Sequence, residues 1–262
     1  MGDALTAQTI WLAGDGGDTI NAYLARPSDP GARGGVVVIH HMPGWDRATK
    51  EITRRFAEMG YDAICPNLHH REAPGAEPDD AAAANRAAGG VPDSRLVGDI
   101  AAAAGFLRAL DTANGKVGVI GFCSGGRQSV LAACNLALDA AVDCYGARVV
   151  GPEQGIEDQL GKLSCPLLGL FGNDDVSPSP EQVDRLEALL REHGKTYRFH
   201  RYDGAGHAFF AVDRSAYRVA AAVDGWERIT AFFAERLAGG VPRARAANAS
   251  PAAGATNPDG KE

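Results

Sequence analysis

The stretch "VGVIGFCSGGR", from Val117 to Arg127, decides the fold. Its apolar first half is typical of a buried strand, and the residues after the glycine pair favour a helix. Between them lies Gly-x-Cys-x-Gly, the form of a nucleophile elbow, in which a sharp turn between a strand and a helix presents one side chain. We therefore expect Cys123 to be presented at the end of a central strand.

Apolar runs rich in Val, Ile and Leu alternate with helical patterns on both sides of this stretch. This alternation indicates β-α-β units and predicts an α/β fold with a mostly parallel central sheet flanked by helices on both faces. Before the elbow the pattern predicts, in order, a hairpin around residues 15–18, a buried strand that ends at His40, a helix over 51–59 and a strand over 61–66. Residues 93–110 are predicted to form a helix before the elbow. After the elbow, strands are predicted in "AAVDCYG", "CPLLGLFG" and "TYRFHRY", with helices over 181–193 and 221–237.

One domain is expected over residues 1–238, because a chain of 262 residues with 45% hydrophobic content can bury a full core. Residues 67–92 are rich in Pro, Gly, Asp and Ala and are too long for a simple connection, so this segment is a candidate lid over a site. Residues 239–262 show no apolar pattern and are predicted to form a disordered tail.

The charge balance argues against a nucleic-acid partner. The net charge is −7, and the Lys and Arg residues are scattered rather than clustered. No window reaches the roughly 18 apolar residues of a membrane span, and Asp3 stands where a secretory signal would carry positive charge. We therefore expect a cytoplasmic protein without membrane association; the sequence does not specify an oligomeric state.

The five cysteines are odd in number and lack CxxC spacing, which argues against a disulfide framework and a zinc ribbon. Four lie in apolar runs and are interpreted as small buried hydrophobic residues: Cys65, Cys134, Cys144 and Cys165. Cys123 differs because glycines surround it and because it precedes a helix, whose first amide groups favour a thiolate.

Two later segments supply partners for a thiol nucleophile. "LLGLFGNDD" is an apolar strand followed by Asp174 and Asp175, and "DGAGHAFF" carries His207 in a Gly-rich loop after another strand. The order nucleophile, acid, histidine is that of an α/β-hydrolase triad. Each residue alone has a structural explanation, such as an Asp that caps the next helix. All three in this order predict a catalytic triad.

The motifs "GFCSGG" and "GAGHAFF", with the Asp between them, resemble the dienelactone hydrolase family. These are α/β-hydrolases with a cysteine nucleophile that open enol-lactones such as carboxymethylenebutenolide, and the resemblance extends over about residues 18–237. It implies Cys123 as nucleophile, His207 as base and an Asp after "FGN" as the orienting acid. We favour Asp175 from its Gly-x-x-Asp spacing, with Asp174 as the alternative if one counts back from Pro178.

The resemblance also implies an oxyanion hole formed by the backbone amides of Met42 and Ser124. At the position of His41, relatives that open dienelactones hold a glutamate, which is thought to take the thiol proton. Histidine titrates near neutral pH, so an activity that depends on His41 should fall between about pH 7 and pH 5.5.

Two further positions bear on the substrate. "NLHHREAPG" matches the family segment whose arginine, here Arg71, holds the substrate carboxylate; a second family arginine is replaced by Ala211. Half of the implied anion clamp is therefore missing, which allows a neutral or larger ester or lactone as substrate.

Two other interpretations remain open. Two adjacent histidine pairs could serve a metal-assisted hydrolase: His40 with His41, and His69 with His70. Alternatively, the protein could bind a small molecule without turnover. We expect instead a cysteine hydrolase that acts on a small ester or lactone and needs no metal or cofactor.

Overall fold

A computed structural model describes residues 4–237. Within this range the chain forms an eight-stranded sheet with the order β1-β2-β4-β3-β5-β6-β7-β8. The strands are β1 Leu5–Ala13, β2 Thr19–Pro27, β3 Arg33–Ile39, β4 Asp62–Pro66, β5 Ala113–Phe122, β6 Ala140–Cys144, β7 Leu167–Gly172 and β8 Tyr197–Tyr202. The α-helices are α1 Arg47–Glu58, α2 Pro78–Ala87, α3 Asp93–Arg108, α4 Ser124–Asn135, α5 Pro180–Glu192 and α6 Val219–Leu237.

The sheet is parallel from β4 to β8, and the hairpin β1–β2 joins it antiparallel at the β4 edge. Strand side chains alternate between the two faces, so β3 contributes to two hydrophobic clusters. Val37 and Ile39 pack in the cluster that includes side chains of α3, α4 and α5, whereas Val36 and Val38 pack in the cluster with α1 and α6. Helices thus cover both faces, and the predicted α/β fold with a mostly parallel central sheet is confirmed.

Helix α1 begins earlier than its apolar pattern indicates. The Asp46 side chain accepts a hydrogen bond from the backbone amide of Thr49 and caps the helix, so the first turn forms before the first large apolar residue, Ile52. This N-terminal end lies directly after the loop that follows β3.

The candidate lid, residues 67–92, contains a helix that the sequence analysis did not predict. Helix α2 begins with Pro78 at its first position and continues through an alanine run, both of which favour a helix. Helix α2 has no large apolar residues, so hydrophobic periodicity does not reveal it. That this segment acts as a lid stays a prediction.

The predicted tail, residues 239–262, and the domain boundary at residue 238 lie outside the described residues. None of the helices within residues 4–237 has the length and apolar character needed to cross a membrane.

Candidate active site

Cys123 lies in the turn between β5 and α4, with φ of 57° and ψ of −122°. A positive φ costs free energy for a residue other than glycine and persists only where the surroundings enforce it. The backbone here is anchored on both sides, because the Cys123 amide donates to the Cys144 carbonyl at 3.0 Å and its carbonyl accepts from the Gly126 amide at 2.9 Å. The turn therefore presents the thiol in a defined position.

Glycines surround this turn because atoms of neighbouring strands and loops approach too closely for a side chain. A Cβ at Gly121 would lie 1.8 Å from the Gly125 carbonyl oxygen, and one at Gly125 would lie 2.5 Å from the Ile39 carbonyl oxygen. A Cβ at Gly126 would lie 2.3 Å from an Asp143 carboxylate oxygen. The glycines of the motif therefore allow α4 to begin in contact with β3 and β6.

The structure brings His207 between Cys123 and Asp175. The His207 Nδ1 atom lies 2.9 Å from the Asp175 carboxylate, and the imidazole is hydrogen-bonded to the Cys123 side chain. Asp175 is 4% exposed and also accepts a hydrogen bond from the Ser177 amide. Asp174, the alternative acid, is exposed. Of the two neighbouring aspartates, Asp175 is the one in contact with the histidine.

The side chains of Cys123, His207 and Asp175 stabilise one another's charged forms. Burial alone would raise the pKa of Cys123, but hydrogen bonds from His207 and from the amides of Ser124 and Met42 lower it below its ordinary value. Burial would lower the pKa of His207, but its contacts with Asp175 and Cys123 raise it to about 10. These opposite shifts favour a thiolate–imidazolium pair near neutral pH.

The amides of Met42 and Ser124 converge on the Cys123 sulfur from two elements, the loop after β3 and the start of α4. Two preorganised amide donors beside a nucleophile can also stabilise an oxyanion that develops on a bound carbonyl. That the amides of Met42 and Ser124 form an oxyanion hole stays a prediction.

His41 lies at the site and is held by a residue that the sequence analysis missed. Its Nε2 atom is 2.6 Å from the Asp46 carboxylate, whose other oxygen accepts from the Thr49 amide at 2.8 Å. Although burial disfavours the charge, these hydrogen bonds lower the pKa of Asp46 to about 2. An Asp just before a helix indicates a cap, but only the fold shows that it also orients His41.

Arg71 does not fit the substrate-contacting role that the sequence analysis predicted. Its guanidinium pairs with Asp99 at 2.8 Å and Asp18 at 2.9 Å, and it donates to the Asp15 carbonyl. Asp99 is fully buried, so it needs a cation beside it. In this structure Arg71 is an internal ion-pair partner rather than a free anion anchor.

One histidine of each adjacent pair, His40 and His69, is used in packing. His40 is buried, its Nδ1 faces the His41 carbonyl at 2.9 Å, and its Nε2 accepts from the Leu68 amide at 3.1 Å. Burial lowers the pKa of His40 to about 3, so the ring is neutral. His69 packs edge-on against it and contacts the Asn85 side-chain amide. Within residues 4–237 no group of three or more His, Cys, Asp or Glu residues is arranged to hold a metal ion.

A cavity of about 470 Å³ includes His41 and Phe122 in its lining, next in sequence to Met42 and Cys123, but none of the side chains of Cys123, His207 and Asp175. One wall consists of side chains from α1, and the other is aromatic, formed by Phe122, Tyr145, Phe210 and Trp226. The Tyr145 ring lies 5.1 Å from the His207 ring and so joins the aromatic wall to the triad. Sequence reasoning missed these lining residues, because aromatic side chains in apolar runs resemble ordinary core residues.

The profile of the dienelactone hydrolase family matches residues 20–237. The chain belongs to this family. It is 34% identical over 227 residues to a protein of Methylorubrum extorquens provisionally named a carboxymethylenebutenolidase, covering 82% of this chain and 76% of that protein. A Salmonella typhimurium protein with the same provisional name is 36% identical over 231 residues, covering 84% of each chain.

Solved structures agree with this assignment. The structure of a provisionally named dienelactone hydrolase from Klebsiella pneumoniae superimposes on this chain with a TM-score of 0.81 at 30% identity, and the match covers 89% of this chain and 100% of that chain. Brefeldin A esterase, a bacterial homologue of human hormone-sensitive lipase, shares the fold with a TM-score of 0.69 at 15% identity, covering 89% of this chain and 78% of that one. The protein is a hydrolase of the dienelactone hydrolase type.

Proposed function

We propose that the protein hydrolyses a small carboxylic ester or lactone through an acyl-cysteine intermediate, without a metal or cofactor. The observation that carries this proposal is the position of His207, which contacts both the Cys123 side chain and the buried carboxylate of Asp175. Family membership supports it independently, since the curated relatives carry a lactone-hydrolase name.

In the first half of the reaction, the Cys123 thiolate attacks the carbonyl carbon of the substrate. The amides of Met42 and Ser124 donate to the oxyanion that forms. When the tetrahedral intermediate collapses, the carbon–oxygen bond to the alcohol breaks and protonated His207 gives its proton to the departing alkoxide. A lactone would keep this alcohol attached to the acyl group.

In the second half, neutral His207 takes a proton from water, which attacks the thioester. The carbon–sulfur bond breaks, the acid is released and Cys123 returns as a thiolate. Asp175 holds the imidazole through Nδ1, which leaves Nε2 for the sulfur and the water.

Hydrolysis of two substrates by the wild type and by Cys123→Ala tests the proposal. A carboxylated dienelactone and a neutral 4-nitrophenyl ester should distinguish lactone opening from ester cleavage. We expect turnover of at least one substrate and a loss of roughly 1,000-fold or more in Cys123→Ala, because the variant has no nucleophile. Turnover that survives in this variant would refute the acyl-cysteine pathway.

The pH dependence of alkylation separates an enzyme from a protein that only binds. Since His207 lowers the pKa of Cys123, iodoacetamide should label this thiol rapidly at pH 7, below the ordinary cysteine pKa of about 8.5. His207→Ala removes the stabilising partner of the thiolate, so its labelling profile should move to higher pH. If both proteins label like a free cysteine, Cys123 is not activated and the binding interpretation gains support.

A further inference from the structure

His40, the residue that follows β3, holds its ring in a single protonation form. The side chain is 2% exposed, and burial lowers its pKa to about 3, so the ring is neutral near neutral pH. A backbone amide can only donate a hydrogen bond, so the Nε2 atom accepts from the Leu68 amide at 3.1 Å. A neutral imidazole carries one proton, which is therefore on Nδ1. The contact between Nδ1 and the His41 carbonyl at 2.9 Å is then a hydrogen bond that His40 donates.

The His41 carbonyl that accepts this bond belongs to the same peptide group as the Met42 amide. A peptide group is planar, and in the trans form its C=O and N–H bonds point in opposite directions. The peptide between His41 and Met42 is trans, and its N–H donates to the Cys123 sulfur. Because the group is rigid, a ring that fixes the direction of the carbonyl also fixes the direction of the amide.

A second hydrogen bond restrains the same carbonyl, since the Gly44 amide donates to the His41 oxygen at 2.9 Å. Two donors use both lone pairs of the oxygen. Hydrogen bonds to a carbonyl polarise its peptide group, which strengthens the N–H on the other side as a donor. The loop after β3 thus presents the Met42 amide in a fixed and polarised peptide.

The Ser124 amide, the other predicted oxyanion donor, is positioned by a different part of the fold. Ser124 is the first residue of α4, and the turn before it is anchored by the backbone hydrogen bonds of Cys123. The elbow therefore sets the position of this amide, whereas the Met42 amide belongs to a loop that His40 restrains. A change at His40 should affect one of the two donors.

His69 provides a comparison, because it is a second buried histidine in contact with the first. Its ring packs edge-on against that of His40 with 4.7 Å between the ring centres, and the residue is 4% exposed. Burial lowers the pKa of His69 to about 4, and its Nε2 atom lies 3.1 Å from the Asn85 side-chain amide. Among residues 4–237 its Nδ1 atom has no hydrogen-bond partner. A change at His69 therefore disturbs the packing around His40 without removing the bond to the His41 carbonyl.

Resting on the proposed function, we propose that His40 is a positioning residue for the oxyanion hole. Its Nδ1 proton orients and polarises the His41–Met42 peptide, so that the Met42 amide is directed at the Cys123 sulfur in the free enzyme and at the oxyanion during the reaction. The ring is buried and acts through this peptide alone.

Two substitutions at position 40 separate the two hydrogen bonds of the ring. In His40→Asn the side-chain nitrogen is as many bonds from Cα as Nδ1 is, and it can still donate to the His41 carbonyl. In His40→Gln the side-chain oxygen can take the place of Nε2 and accept from the Leu68 amide, but no atom replaces Nδ1. For an ester that the wild type hydrolyses, we expect His40→Gln to lower kcat roughly 10- to 100-fold with KM within about twofold, because the oxyanion forms only in the transition state. His40→Asn should keep kcat within roughly threefold of the wild type.

His69→Gln is the matched control, because it makes the same change at the neighbouring buried ring. Urea unfolding should show that it loses stability as the His40 variants do, while kcat stays within roughly threefold of the wild type. If His69→Gln or His40→Asn loses as much activity as His40→Gln, the effect is one of packing and the proposal is wrong. If the wild type shows no Cys123-dependent hydrolysis, the proposed function fails, and alkylation decides the role of His40.

Alkylation of Cys123 by iodoacetamide tests the same peptide without turnover. The Met42 amide lowers the pKa of the thiol, and the other groups that lower it, His207 and the Ser124 amide, are the same in every variant. The pH profile of the alkylation rate should therefore move upward by roughly 0.5–1 unit in His40→Gln and stay with the wild type in His40→Asn. An unmoved profile in folded His40→Gln would overturn the proposal.

The tautomer of His40 can be read from the wild type itself. Nitrogen-15 NMR of labelled histidine rings distinguishes a protonated ring nitrogen from an unprotonated one. We expect a protonated Nδ1 and an unprotonated Nε2 near neutral pH. A ring protonated at Nε2 would contradict the proposal even if no variant at position 40 folds.

Discussion

Asp174 and Asp175 are chemically identical neighbours with different environments. The Asp175 carboxylate is buried and contacts His207, whereas the side chain one residue earlier is exposed. A carboxylate at Nδ1 selects the tautomer of a catalytic histidine and stabilises its protonated form. At the scale of single residues, this contact distinguishes the proposed acid from its neighbour.

Matched substitutions test this distinction. Asp175→Asn should lower kcat by about 1,000- to 10,000-fold, because the amide can donate to Nδ1 and favour the unproductive tautomer. Asp174→Asn should stay within about twofold of the wild type, because an exposed side chain away from the histidine does not affect its tautomer. Steady-state kinetics on a substrate that the wild type turns over would measure both, with thermal unfolding to check that each variant folds. Equal losses in the two variants would contradict the assignment.

At the scale of elements, the elbow depends on contact between the first turn of α4 and the strands beside it. The Gly126 Cα faces Asp143 of β6, and a Cβ there would also come within 2.7 Å of the Gly146 Cα. By contrast, a Cβ at Gly105, within α3, would point into open space, with no atom of another described element within 4 Å. A side chain is therefore excluded at Gly126, whereas there is room for one at Gly105.

Gly126→Ala should reduce the free energy of unfolding by about 1–3 kcal/mol and also lower activity, because α4 must move and carry the Ser124 amide with it. Gly105→Ala should raise the free energy of unfolding by up to about 1 kcal/mol, because alanine favours a helix more than glycine does. Urea unfolding of both variants provides the measurement. A stable, fully active Gly126→Ala protein would show that the elbow tolerates a wider contact than the structure indicates.

At the scale of the whole molecule, Arg71 joins parts of the chain that are far apart in sequence. It lies in the segment 67–92 and contacts the turn between β1 and β2 as well as the buried Asp99 of α3. Removing one partner of a buried ion pair leaves the other charge uncompensated, which is strongly destabilising. The ion pair therefore stabilises this side of the fold.

Arg71→Met should cost about 3–5 kcal/mol of stability and leave KM unchanged for anionic and neutral esters. The double variant Arg71→Met, Asp99→Asn should recover part of the stability, since it removes the unpaired charge. Chemical unfolding of the variants gives their stability and substrate kinetics give KM, and together these measurements decide the role of Arg71. A selective rise in KM for anionic esters at unchanged stability would restore the substrate-anchor interpretation.

The sequence by itself determined the features that depend on local patterns. Alternating apolar runs predicted the parallel sheet and its flanking helices, and the Gly-x-Cys-x-Gly turn predicted a strand before Cys123 and a helix after it, although α4 begins at Ser124, before the glycine pair. These inferences succeed because strand alternation, helix formation and the need for glycine at close backbone contacts are set by neighbouring residues.

Only the tertiary structure decided the features that depend on contacts across the sheet. It placed Asp175 against His207 and paired Arg71 with Asp99. It also assembled the aromatic cavity wall from the end of β5, the residue after β6, the loop before α6, and α6 itself. Asp or Arg has the same local sequence signal whether it faces solvent, a buried ion or a substrate. Its partner is determined by packing between distant segments, which no short pattern encodes.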